Sequence, residues 1–151
     1  MTARSMQSAE RLCQEKGLAF TPLRRQVYEL IAVDSTPVGA YDLLDRLKKQ
    51  RANAAPVTIY RALDFLLEAG LIHRIDALQA YAACEVHGRG EQESPDHGGL
   101  VLVCSRCTQL TEFADSRLER QIERAALAHG FRVAHHLIEI RGLCGRCGAQ
   151  A

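Results

Sequence analysis

Tryptophan is absent from this 151-residue chain, and Phe, Trp and Tyr together make up only 5% of it. Broad aromatic stacking platforms are therefore excluded. No stretch approaches the ~20 consecutive apolar residues that span a bilayer. The first fifteen residues mix Arg, Gln and Glu without an apolar run, so they do not read as a signal peptide. Charge of one sign is also missing: the net is +1, so no global field drives the chain onto nucleic acid or membrane. What remains is the make-up of a globular protein, 47% hydrophobic and 25% charged, long enough for one medium domain or two small ones. A cytoplasmic location is expected. In that compartment six cysteines suggest metal ligation or redox chemistry before disulfides.

Charge and cysteine are unevenly placed. Residues 1–61 carry ten Lys or Arg against six Asp or Glu, whereas only Cys13 of the six cysteines lies in the first half. Two modules are expected: residues 1–78, a hinge at 79–84, and residues 85–151. The first reads as helical. Met6 to Lys16 is a short helix stopped by Gly17. Thr21-Pro22 reads as an N-cap followed by proline at the first helical position. A third helix is expected over Ala40 to Lys49, with Leu43, Leu44 and Leu47 inward. A fourth runs over Val57 to Ala69, burying Ile59, Ala62, Leu63, Leu66 and Leu67. Leu71 to Ile75 and Ala80 to Cys84 are strand-like runs around a tight connection. Helices followed by a hairpin is the order of a winged helix-turn-helix. In the second module, after the polar stretch 85–99, Leu100 to Val103 and Leu110 to Phe113 read as a hairpin. Ser116 caps a helix to His129 with Leu118, Ile122, Ala125 and Ala126 on one face, and Phe131 to Ile140 is a third strand. The whole is α+β.

Cys104-Ser-Arg-Cys107 and Cys144-Gly-Arg-Cys147 are two C-x-x-C pairs separated by 36 residues. Each turn presents two thiolates to one ion. Two such knuckles complete a tetrahedral four-cysteine zinc site with no position left for water, hence a structural one. A redox pair is the competing reading. It fits poorly, because there are two pairs and the second lies at the C-terminal end. A second, less regular cluster is His73, Cys84, His97 and Glu112: one thiolate, two imidazoles and a carboxylate, a chemically acceptable zinc set. Spacing alone favours the plainer alternative, with His73 on a strand surface, Cys84 a small buried apolar residue and Glu112 a solvated charge. On the fourth helix, Arg61 could bond guanine while Thr58 and Tyr60 reach phosphates. Arg24 and Arg25, with Arg46, Lys48, Lys49 and Arg51, would frame it with backbone contacts. A solvated face on an interaction domain is the alternative there.

The order Thr21-Pro22-x-Arg24, Ala40-Tyr41-Asp42-Leu43-Leu44, Thr58-Ile59-Tyr60-Arg61-Ala62-Leu63-x-Phe65-Leu66 and C-x-x-C twice resembles the ferric uptake regulator family of metal-responsive repressors. The stretches "AYDLLD", "YRALDFLLEAGLIHRI", "YAAC" and "IEIRGLCGRC" make it most similar to that family's zinc-uptake branch. The resemblance covers about Ala9 to Cys147. It implies a homodimer, each protomer having an N-terminal winged helix and a small C-terminal α/β dimerisation domain. It implies structural zinc on Cys104, Cys107, Cys144 and Cys147, and regulatory zinc on His73, Cys84, His97 and Glu112, two Zn2+ per protomer. Tyr41 and Arg61 fall where such proteins touch bases of palindromic operator DNA. The loop before His97, with Glu91, Glu93 and Asp96, departs from the pattern and makes His87 a competing ligand. Glu119, His135 and His136 could contribute to a further metal site, without a full ligand set. The resulting expectation is a zinc-responsive repressor, not an enzyme, without membrane or small organic substrate. An iron- or peroxide-responsive regulator, a zinc hydrolase and a DNA-independent interaction module are the competing readings.

Overall fold

The computed structural model describes residues 3–84, 99–133 and 137–149. It divides into two compact units, residues 1–89 and 90–151. No helix among the described residues is long and apolar enough to cross a membrane.

The first unit begins with α1 (Ala3–Glu15), which ends where Gly17 adopts φ +64, the left-handed turn that closes a helix without a Cβ clash. Helix α2 (Pro22–Ala32) starts as the sequence predicts: the Thr21 hydroxyl accepts from the Arg24 N–H at 3.5 Å, and Pro22 takes the first position. Strand β1 (Val38–Gly39), helix α3 (Ala40–Lys48) and helix α4 (Pro56–Glu68) follow, then β2 (Ile72–Ile75) and β3 (Ala80–Ala83). The strand order is β1-β3-β2, all antiparallel. Three helices backed by this small sheet form a winged helix-turn-helix, and the hairpin β2–β3 is the wing. The segment expected as a hinge, 79–84, is largely β3.

Periodicity explains the core. Val27, Ile31, Leu43, Leu47, Ile59, Leu63 and Leu66 are all at most 1% exposed, and they recur at three- and four-residue steps on α2, α3 and α4. Tyr28 and Phe65 are also buried, whereas Leu67, expected inward, is only half-buried. Leu63→Ala should remove about 2–5 kcal/mol of this unit's stability, because a close-packed site relaxes only partly around the cavity. Urea unfolding followed by helical ellipticity measures it.

The second unit has β4 (Gly99–Cys104), β5 (Leu110–Phe113), α5 (Ser116–Ala128), β6 (Leu137–Gly142) and the single turn α6 (Gly145–Gly148). The sheet order is β5-β4-β6, antiparallel between β4 and β5 but parallel between β4 and β6. The expected hairpin is present. Three details differ from the sequence reading. Asp115, not Ser116, caps α5: its Oδ1 accepts from Arg117 N at 2.9 Å and Leu118 N at 3.2 Å. A carboxylate makes the stronger, charge-assisted bonds to those amides, and the bonds in turn hold its carboxyl below the usual range. Residues 131–133, expected in the third strand, are exposed coil, and the strand is described over Leu137–Gly142. Helix α5 buries none of its residues: Leu118, Ile122 and Ala126 are half-covered and Ala125 is exposed. An amphipathic stripe needs an opposing element, and the unit's own small sheet does not close over this one.

Candidate metal centres and nucleic-acid face

The parallel register builds the first centre. Cys104 ends β4 and pairs with Gly142, the end of β6, so chain continuing from either strand enters the same space. Ser105 N donates to Gly142 O at 2.8 Å and ties the two exits together. After Cys104 the chain reverses: Thr108 N bonds Cys104 O and Cys104 N bonds Gln109 O, both at 3.0 Å. Thr108 takes φ +56, which swings the chain around Cys107 into β5. The second knuckle is a helical turn capped by Cys144, with Gly148 N on Cys144 O at 2.8 Å. Arg106 Nη1 donates to Cys147 O at 3.0 Å across the two knuckles.

One ligand atom from each of the four cysteines lies within 4.8 Å of the others. Cys107 Sγ and Cys144 Sγ are 3.8 Å apart. A tetrahedron with metal–sulfur bonds of about 2.3 Å has edges of about 3.8 Å, so the separation fits zinc directly. The electrostatics agree. The amide N–H groups of Cys107, Cys144 and Arg106 point at Cys104 and lower its thiol to about 6. Gln109's N–H and then the Arg146 guanidinium lower Cys107. Cys147 is pushed up to about 12 by burial and by the neighbouring thiols. Four sulfurs share one pocket, and at least one stays protonated unless a cation joins them.

In the first unit, β2 and β3 place His73 and Cys84 on one hairpin. Their ligand atoms approach within 4.8 Å. Cys84 is 7% exposed and its N–H bonds Leu71 O at 3.0 Å, which fixes the backbone from which the thiol projects. Beside it is Tyr28, whose phenol is pushed up to about 12, chiefly by burial and then by Cys84 and Cys13. Glu112 belongs to the second unit. It pairs with Val101 on β4 and, at 6% exposure, is the one charged residue buried among those described. The sequence alternative of a solvated carboxylate is thereby corrected. Its alternation on β5 turns it to the same side as fully buried Val101. His97 and its competitor His87 lie outside the described residues, as do His135 and His136. Glu119 is described: its Oε1 is buried without a hydrogen-bond partner among the described residues.

The expected nucleic-acid residues gather at the starts of α2, α3 and α4. A cleft of about 360 Å³ is lined by Thr21, Leu23, Arg24, Val57, Thr58, Arg61 and Ala62. Thr58 Oγ1 accepts from Ala55 N at 3.4 Å and closes the first turn of α4, while retaining its own O–H to donate. Arg24 stacks 3.7 Å over the Phe65 ring and donates to Ala19 O. Tyr41, 76% exposed, and Tyr60 line a second cleft with Arg74 and Tyr81. Two members of the expected basic frame are ion-paired, Arg25 with Glu10 and Arg46 with Asp34, and a third, Arg51, donates from Nε to Gln26 Oε1 at 2.7 Å. Sequence reasoning missed these acidic partners because both pairs are long-range.

A sequence model of the ferric uptake regulator family matches residues 15–141. The chain belongs to this family. The zinc uptake regulation protein of Escherichia coli (strain K12) is 34% identical over 146 residues, which cover 97% of this chain and 82% of that protein. Among solved structures, a zinc uptake regulator complexed with zinc and DNA superposes with a TM-score of 0.86 at 32% identity, covering 99% of this chain and 98% of that one. Holo XcZur gives 0.82 at 40% identity over 97% and 99%. The family model spans the wing and the first cysteine knuckle, and the matches to these relatives cover 97% or more of this chain.

Proposed function

We propose that this family member is a zinc-responsive transcriptional repressor that binds palindromic operator DNA as a homodimer, with one structural and one regulatory zinc per protomer. The observation that carries the reading is the donor set. Cys104, Cys107, Cys144 and Cys147 would hold the structural ion. His73, Cys84 and Glu112, with His97 from the polar stretch, would hold the regulatory one. A thiolate with imidazole and carboxylate partners suits zinc, whereas an iron sensor favours nitrogen and oxygen ligands in higher coordination. When bound, zinc supplies a cross-link between residues of the wing and of the second unit. The protein's own groups do the rest: Arg61 and Tyr41 face bases, Thr58, Tyr60, Arg24 and Arg25 hold phosphates, and α4 lies in the major groove.

A dimer is supported by the second unit's uncovered apolar surface. Leu102 and Ile140 are opposed in the β4–β6 register and are 42% and 45% exposed, and Leu127 and Phe131 are more exposed still. Two-fold symmetry would match two half-sites. Metal and operator then tighten each other by typically ~1–3 kcal/mol, and linkage makes the effect reciprocal. Titrating zinc into protein that holds only the quartet metal, while following operator binding, tests the switch. Unchanged affinity would end it. Arg61→Ala should weaken specific binding by about ten- to a hundredfold, the value of a bidentate base contact, with zinc content unaltered.

A further inference from the structure

Val57 is the anomaly on α4. Its apolar neighbours Ile59, Ala62, Leu63, Phe65 and Leu66 are buried, yet Val57 is 55% exposed in the helix's first turn. A β-branched residue there gains no core packing and carries a slight helix-propensity cost. Its position is informative. Val57, Tyr60 and Arg61 stand at i, i+3 and i+4, so they share one face of α4. All three are exposed. The cleft that Val57 lines is framed by Arg24, Thr58 and Arg61 and contains no carboxylate among its lining residues, so its charge complements a polyanion. The next position on the stripe, Asp64, is acidic and marks where that face stops suiting DNA.

Resting on the DNA-binding reading above, we propose that Val57 is a specificity-determining residue that packs against the C5-methyl group of a thymine in the major groove. Thymine alone among the bases carries an apolar group on that edge, and a short branched apolar side chain is its complement. Phosphate contacts from the flanking groups set the register, while Val57 and Arg61 read adjacent bases: one by its methyl, the other by its hydrogen-bond acceptors.

The test uses a high-affinity duplex selected from a random pool by the zinc-loaded protein, with thymines replaced one at a time by deoxyuridine, which removes only the methyl. Wild type should lose about three- to fourfold at a single thymine per half-site, the worth of one buried methyl-sized group. Val57→Ala should show that loss already on the thymine duplex and become indifferent to deoxyuridine there, while Val57→Ile keeps the preference. Alanine raises helix propensity at this exposed site, so folding is not at risk. Undiminished thymine-over-deoxyuridine preference at every position in Val57→Ala, or no preference in wild type, overturns the assignment. If wild type itself binds no duplex specifically, the regulator reading fails and takes this inference with it.

Discussion

Cys144→Ser is expected to unfold the second unit, not merely to empty a binding site. Among its described residues only Leu100, Val101 and Val103 are buried aliphatics, joined by Cys104, Cys147 and Glu112. Three such side chains contribute on the order of 5–9 kcal/mol before chain entropy is charged against them. A structural zinc contributes ~10 kcal/mol or more in small modules, so the metal outweighs the apolar core. The backbone contact from residue 144 N to Cys104 Sγ, 3.4 Å long, does not depend on the side chain, and serine caps a helix at least as well as cysteine, so what the substitution removes is the thiolate ligand itself. Hydrogen exchange should show β4 and β6 amides losing protection, whereas β2 and β3 keep theirs, because the first unit has its own core. A strong chelator should reproduce the pattern in wild type. Retained protection in β4 and β6 would show that the sheet stands without its metal.

Acid should act in the same direction. Zinc is held by thiolates, and Cys147 sits near 12 without a cation while Cys104 is near 6. Binding must therefore expel protons, and lowering pH through the range where Cys104 protonates adds another competitor for zinc. The sign is loss of metal, and with it of the second unit's structure, as pH falls.

What the chain announces about itself depends on how local the signal is. The winged helix was legible because caps, prolines and the three- and four-residue apolar repeat are local: Thr21-Pro22, Leu43/Leu44/Leu47 and Ile59/Leu63/Leu66 stand where periodicity puts them. The quartet was legible for the same reason, since each C-x-x-C turn closes within its own few residues. Strand β6 was misplaced by several residues because its start is decided by pairing with β4, a partner more than thirty residues away. Burial of α5 failed as an expectation for a related reason. Amphipathicity says that a face must be covered, not by which molecule. His73 and Cys84 were ambiguous in sequence, with no motif between them, until the hairpin brought them together. Val57 escaped notice because the sequence marks the start of α4 by its polar residues Thr58, Tyr60 and Arg61, and only exposure shows the apolar side chain standing among them.

Cys84→Ser should separate sensing from folding. Serine nearly matches cysteine in volume, and the backbone bond from residue 84 to Leu71 O does not depend on the side chain. The cost to the first unit is then that of a buried hydroxyl, about 1–3 kcal/mol if it finds no partner. Zinc per protomer should fall from two to one, because a neutral hydroxyl is a poor ligand where a thiolate served. Operator affinity should become independent of added zinc, a loss of about five- to 150-fold in the metal's effect, corresponding to the usual range of coupling energies. Metal analysis and fluorescence anisotropy on one operator duplex measure both. Retained iron-dependent binding in the variant would shift the reading to an iron- or peroxide-responsive regulator, whose ligands are nitrogen and oxygen. Two zinc ions still bound, with the zinc response intact, would mean that Cys84 is ordinary packing beside Tyr28 and that the ions which switch this protein are held elsewhere.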